Sequence, residues 1–239
     1  MNLSSFDQEL LQISSGPPPA TIADVITVMQ RVDSLLPSND GLKWFNLLYL
    51  NVTQEVDSHA PAGGWEDPTW LTRLDVVFAQ FYFAAIVNCL SDPVNVPSSW
   101  KVLFEARFRG GIDRIQFALA GMNAHINHDL ALALLQTDTE LNLVPGDTSP
   151  QHDDFEHVNG LLEVVLPQAL QFLATGIVGE LAQDTGKIGR LLAIWNLSAA
   201  RDLAWDFADH LRGLTGVAGD TALTLQDQIT GVVGRSLLI

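Results

Sequence analysis

The sequence predicts an all-α fold: a single-domain bundle of about eight helices around a buried central helix. Three observations carry this. Apolar residues recur at helical spacing in one segment after another, as at Leu42, Phe45, Tyr49, Val52 and Val56. Strand-like alternation and internal repeats are absent. The 239 residues are 47% apolar and only 17% charged, so a chain of this length must bury a sizeable core.

Residues 1–20 read as an N-terminal extension and 21–239 as the helical domain. "TIAD" at 21–24 resembles a capping box with Asp in the Glu/Gln position, and its helix must stop before Pro37. "SND" at 38–40 caps a second helix. After the Gly63–Gly64 loop, Asp67 followed by Pro68 opens a third, running to about Leu90. "SDPVNVP" ends it, and Ser98 or Ser99 starts a short helix through Trp100, Phe104 and Arg107. The central helix covers roughly Ile112 to Leu135. Residues 137–152, polar and interrupted by Pro and Gly, read as a loop. Periodicity resumes near Asp153 with a kink or break at Pro167. Two more helices are expected, at about Ile188–Leu214 and Leu223–Leu238.

Composition narrows the function. Twelve Lys and Arg stand against 28 Asp and Glu, a formal charge of −16, which repels phosphate backbones and anionic membrane surfaces. Cys89 is the single cysteine, so no internal disulfide forms and no multi-thiolate metal site exists. The run Val76–Leu90, interrupted by Gln80 and Asn88, falls short of a membrane span, and the N-terminus lacks a secretory pattern; a cytoplasmic protein is the expectation. Phosphate loops, Ser nucleophile elbows and zinc-type Cys/His spacings are missing.

The candidate site lies in "GMNAHINHDLALALL", residues 121–135. At 100° per residue Ile115, Leu119, Met122, Ile126 and Ala133 share a face, and Leu130, Leu132, Leu134 and Leu135 spread over the rest, so the helix is buried. His125 and Asp129 fall within about 40° of each other at an edge of the apolar face. Asn123 and Asn127 fall roughly opposite, and His128 lies on the far flank of His125. Such groups persist in a core when fully hydrogen-bonded or when they line a cavity that needs them.

The motif "LAGMNAHINHDLALAL" resembles the signature of domain-of-unknown-function family 5995. "WFNLLYLNVTQEV", "LDVVFAQFYFAAI", "PSSWKVLFEA", "DFEHVN" and "ARDLAWDFADHL" are similar as well, so the likeness spans about Arg31 to Leu211. The resemblance brings no activity. It implies only that Asn123, His125, Asn127, Asp129, Asp75, Asp154, Asn159, Arg201 and Trp205 occupy recurrent polar and aromatic positions.

Three chemistries are expected candidates. In the first, His125 acts as acid or base, Asp129 orients it, and Arg201 holds an oxygen of a small, largely apolar substrate in an interior pocket. Asn123, Asn127, Asp75, Tyr82, Asp154 and Trp205 would line that pocket, and the reaction would be a cyclisation, isomerisation or hydrolysis. In the second, a divalent metal bound by His125, Asp129, His152 and His157 serves an oxygenase or hydrolase; no cofactor is favoured, and a di-iron bundle would need paired Glu-x-x-His motifs that the chain lacks. In the third, the protein binds a lipophilic ligand without chemistry. The stripe Asp202, Asp206 and His210, with Asp209, reads as a solvated acidic face.

Overall fold

The computed structural model describes residues 3–175 and 196–239. Among these residues there are only helices and connecting turns: α1 (Ser5–Ser14), α2 (Ile22–Leu35), α3 (Gly41–Ser58), α4 (Pro68–Ser91), α5 (Ser98–Ala106), α6 (Arg114–Ala124), a π-helical turn (His125–Asp129), α7 (Leu130–Leu141), α8 (Pro150–Thr175), α9 (Leu197–Arg212) and α10 (Val217–Leu237). The π turn joins α6 to α7, which makes nine continuous helices among the described residues. The part of the expected Ile188–Leu214 helix before Asn196 lies outside them.

Start signals behave as their chemistry requires. Thr21 accepts from the Asp24 amide while the Asp24 carboxylate accepts from the Thr21 amide, completing the box that opens α2. Asp40 and Asp67 cap α3 and α4 by accepting from Leu42 N and Trp70 N. Helix α5 follows Pro97 and has no cap of its own. Asp227, from α10, accepts instead from Ser98 N (2.7 Å), Ser99 N (3.0 Å) and Ser99 Oγ (2.8 Å).

The α6–π–α7 rod is the centre, packed against α3, α4, α5, α9 and α10. Two glycines set how closely α3 approaches it. A Cβ on Gly121 would lie 2.3 Å from the Phe45 ring, and one on Gly41 would lie 2.3 Å from Phe117. Residues 1–20 include α1, which packs on α4 and α2 through fully buried Leu10; its Asp7 faces Arg107 at 3.4 Å. Arg107 also pairs with fully buried Asp40 at 2.5 Å. By length and composition α4 could cross a bilayer, and half of its apolar window is buried within the protein.

Three expectations need correction. The central helix is not regular: Leu130 N–H donates to the His125 carbonyl, five residues back rather than four. Half of the 137–152 segment is helix, and the connection is only 142–149. Its polar residues bind neighbouring helices. Buried Asp138 accepts from Trp70 Nε1 (2.8 Å) and from Arg212, and Glu140 pairs with Arg73 at 2.5 Å. Lastly, α8 runs through Pro167. Pro167 and Glu163, whose carbonyl loses its donor, are both exposed, so water can replace the missing bond.

Candidate functional site

His125 and Asp129 are buried together, with Nδ1 and Oδ2 2.9 Å apart. Trp100 Nε1 donates to the same carboxylate oxygen at 2.9 Å. The imidazole stacks on Phe78 (centroids 3.6 Å, planes 6° apart) and meets Tyr49 edge-on at 4.6 Å; Phe45, Tyr82 and Trp100 complete an aromatic box. Burial pushes Asp129 well above the usual carboxylate range and holds His125 well below the ordinary imidazole value. The other ring nitrogen, Nε2, is buried without a partner.

A cavity of about 180 Å³ opens on the other side of that box, between α3, α4, α8 and α9. Tyr49 and Phe78 belong to both: each touches the His125 ring and lines the cavity. His125 and Asp129 themselves do not line it. The walls are apolar, with Val52, Leu71, Leu74, Leu130, Val158 and Leu162, and the polar groups on them are few: Asp57, Asp75, Arg201, Tyr49, Thr53 and Thr72.

Arg201, 7% exposed, projects from α9. Its Nε donates to Asn159 Oδ1 (2.5 Å), and its guanidinium lies 4.2 Å from the Phe155 ring centre. Asn159 is held in turn by donating to Asp202 Oδ1 at 2.8 Å. Among the described residues neither Arg201 Nη makes a hydrogen bond or an ion pair. Burial lowers its pKa to about 10, still charged at neutral pH. Asp75, on α4, is partly buried and makes no hydrogen bond among the described residues. Burial, with the charge of Asp57 adding to it, raises its carboxyl to about 7. The Tyr49 and Thr53 hydroxyls, one turn apart on α3, are buried and unpartnered among the described residues. Desolvation keeps the Tyr49 phenol protonated.

Other expected site residues lie elsewhere. Asn127 Nδ2 donates to Asn123 Oδ1 (3.0 Å), and Asn123 Nδ2 donates to the Thr230 carbonyl (2.9 Å), so this pair faces α10. His128 lies 3.9 Å from Asp227 on the same side. Tyr82 donates to Asn46 Oδ1 inside the core. Asp154 accepts from Glu66 N (2.8 Å) and Asp67 N (2.7 Å), which fixes the end of the Gly63–Gly64 loop and with it Trp65, a residue on the cavity wall. Trp205 packs against Trp70, Phe155 and His152.

The four residues expected as metal ligands fall into three environments. His125 and Asp129 share the aromatic box, His152 lies by Trp205 and Glu156, and His157 packs on Trp65. Among the described residues no group of three or more His, Cys, Asp or Glu is arranged to hold an ion. Thr53, Asp57 and Trp65 are not singled out by sequence, and Tyr49 reads there as one of several core aromatics able to wall an apolar pocket. Their signal was faint: a Thr one turn after a Tyr on an otherwise core-facing stripe, and a Trp following two glycines.

Residues 22–239 match the model of a family described as "Family of unknown function (DUF5995)", and the chain belongs to that family. No curated protein and no solved structure matches it.

Proposed function

We propose that this member of a family without an assigned activity is an enzyme. It would act on a small, largely apolar metabolite by acid–base chemistry in the cavity between α3, α4, α8 and α9. One observation carries the reading. A carboxyl that burial raises to about 7 and a buried arginine whose Nη groups are both unpaired among the described residues line the same apolar space. Acid–base help is greatest when the group's pKa lies near working pH, and burial brings Asp75 there. Arg201 supplies fixed positive charge for an oxygen on which negative charge develops, in a site whose walls are mainly apolar.

The roles differ from those expected for His125. Asp75 takes or gives the proton, Arg201 holds the oxygen, and Tyr49, kept protonated, donates a hydrogen bond. His125 and Asp129 act as a positioning pair behind Tyr49 and Phe78, with no direct access to the ligand. An isomerisation or a cyclisation needs only this proton transfer; a hydrolysis would add an activated water. The apolar walls equally suit a lipophilic-ligand carrier, which would bind without chemistry.

Solvent exchange separates these readings without knowledge of the product. Purified protein is incubated in D2O with short-chain ketones and 2-oxo acids, and loss of the proton signal next to the carbonyl is followed by NMR. The expected result is catalysed exchange that falls by about 10²-fold or more in Asp75→Asn and stays within a few fold in His125→Gln. Exchange surviving in Asp75→Asn but lost in His125→Gln would return the chemistry to His125. Binding with no exchange anywhere in the panel would support the carrier.

A further inference from the structure

We infer that the cavity recognises the carboxylate of a small monocarboxylic acid, with Arg201 and the Tyr49 and Thr53 hydroxyls as its polar end and the aliphatic walls as the seat of its tail. The inference rests on the cavity being the functional site and adds the class of ligand. Three independent features point to it. Arg201 is more than nine-tenths buried, yet among the described residues its one hydrogen bond uses Nε. That leaves the Nη groups free, and a guanidinium pairs most strongly with a planar two-oxygen anion. Two more buried donors, Tyr49 Oη and Thr53 Oγ1, have no partner among the described residues. Buried polar atoms are rarely left unsatisfied, so the cluster is complete only with an acceptor between its members.

Charge and size agree. With Asp75 protonated, Arg201 and the ligand carboxylate neutralise one another. Asp57, the remaining carboxylate on the wall, is exposed to water. A space of about 180 Å³ accommodates on the order of ten water-sized groups, which corresponds to a tail of a few carbons.

Calorimetric titration at pH 6 with hexanoate, 1-hexanol and hexylamine tests the head group while holding the tail constant. Hexanoate is expected to bind with a Kd of about 1 mM or tighter, and the other two at least about tenfold more weakly. Arg201→Gln should weaken hexanoate by about tenfold or more, and Tyr49→Phe by a few fold. Binding should also weaken between pH 6 and pH 8.5, as Asp75 ionises beside the ligand. Equal binding of hexanoate and 1-hexanol, tighter binding of hexylamine, or no binding of hexanoate would each overturn the inference. Should Arg201→Gln not fold, the head-group series on the unaltered protein and Tyr49→Phe still decide it. Hexanoate binding in a protein that exchanges no protons would refute the acid–base reading and leave this one standing; exchange without hexanoate binding would do the reverse.

Discussion

Replacing Asp75 with Asn gives a stability change whose sign depends on pH. In the unfolded chain an aspartate titrates near 3.9, whereas burial raises the folded carboxyl to about 7. Between those values the folded protein holds a proton that the unfolded chain has released, so wild-type stability falls as pH rises from about 4 to 7 and then levels off. A shift of about three pKa units corresponds to about 4 kcal/mol. Asp75 opens onto the cavity and water reaches it, so about half of that, about 2 kcal/mol, is expected. Asn has the same shape and no charge, and Asp75 makes no hydrogen bond among the described residues for it to break. The variant should match wild type near pH 4 and exceed it by about 2 kcal/mol at pH 8. For a chain of this length that is a rise in Tm of about 4–8 °C. Urea unfolding at the two pH values reads it directly. A variant less stable than wild type at pH 8, or equally shifted at both, would show that the carboxyl is not held uncharged by burial.

Three further outcomes follow from packing and charge. Gly121→Ala drives a methyl into the Phe45 ring, and overpacking of this kind costs about 1–3 kcal/mol, measurable as a fall in the urea midpoint; an unchanged midpoint would show that α3 can step back. Asp40→Ala leaves Arg107 buried and facing only Asp7, and should destabilise the fold by about 3–5 kcal/mol in the same assay. Asp206 and His210 are exposed, so replacing both with Ala should leave hexanoate affinity within a few fold, whereas Asp202→Ala, which leaves Asn159 only its longer 3.3 Å bond to Glu156 and so loosens the group that holds Arg201, should weaken it; equal effects would remove the relay.

That the chain folds entirely into helices among its described residues is legible because caps, prolines and apolar periodicity are local signals. The errors arose where polar residues have remote partners. Asp138 and Glu140 look like loop residues until Trp70, Arg73 and Arg212 arrive from other helices. The same holds for Asp202: its stripe is solvated, as the spacing predicts, yet one member reaches Asn159. The Asn123–Asn127 stripe lies apart from His125 and Asp129, as the spacing predicts, and Asn123 donates to a carbonyl of α10. Asp75 and Arg201 were each singled out individually. Only the packing of α4 against the rest of the bundle reveals that they share a cavity, because 126 positions separate them in the chain (201 − 75).

The π turn explains why a helical wheel misjudged the central helix. A regular wheel puts His125, Asp129 and the residues after them on one continuous set of faces. One extra residue in the turn offsets everything beyond it by about 100°. His125 therefore turns towards the box of Phe45, Tyr49, Phe78 and Trp100, while Leu130 faces the cavity that a regular helix would have assigned differently. The His125–Asp129 bond spans the irregular turn from end to end, and Trp100 secures its far side. In this arrangement the most conspicuous polar pair in the sequence bridges the π turn instead of lining the cavity. Tyr49 and Phe78, from α3 and α4, stand between that pair and the cavity, each touching the His125 ring and lining the space beyond it.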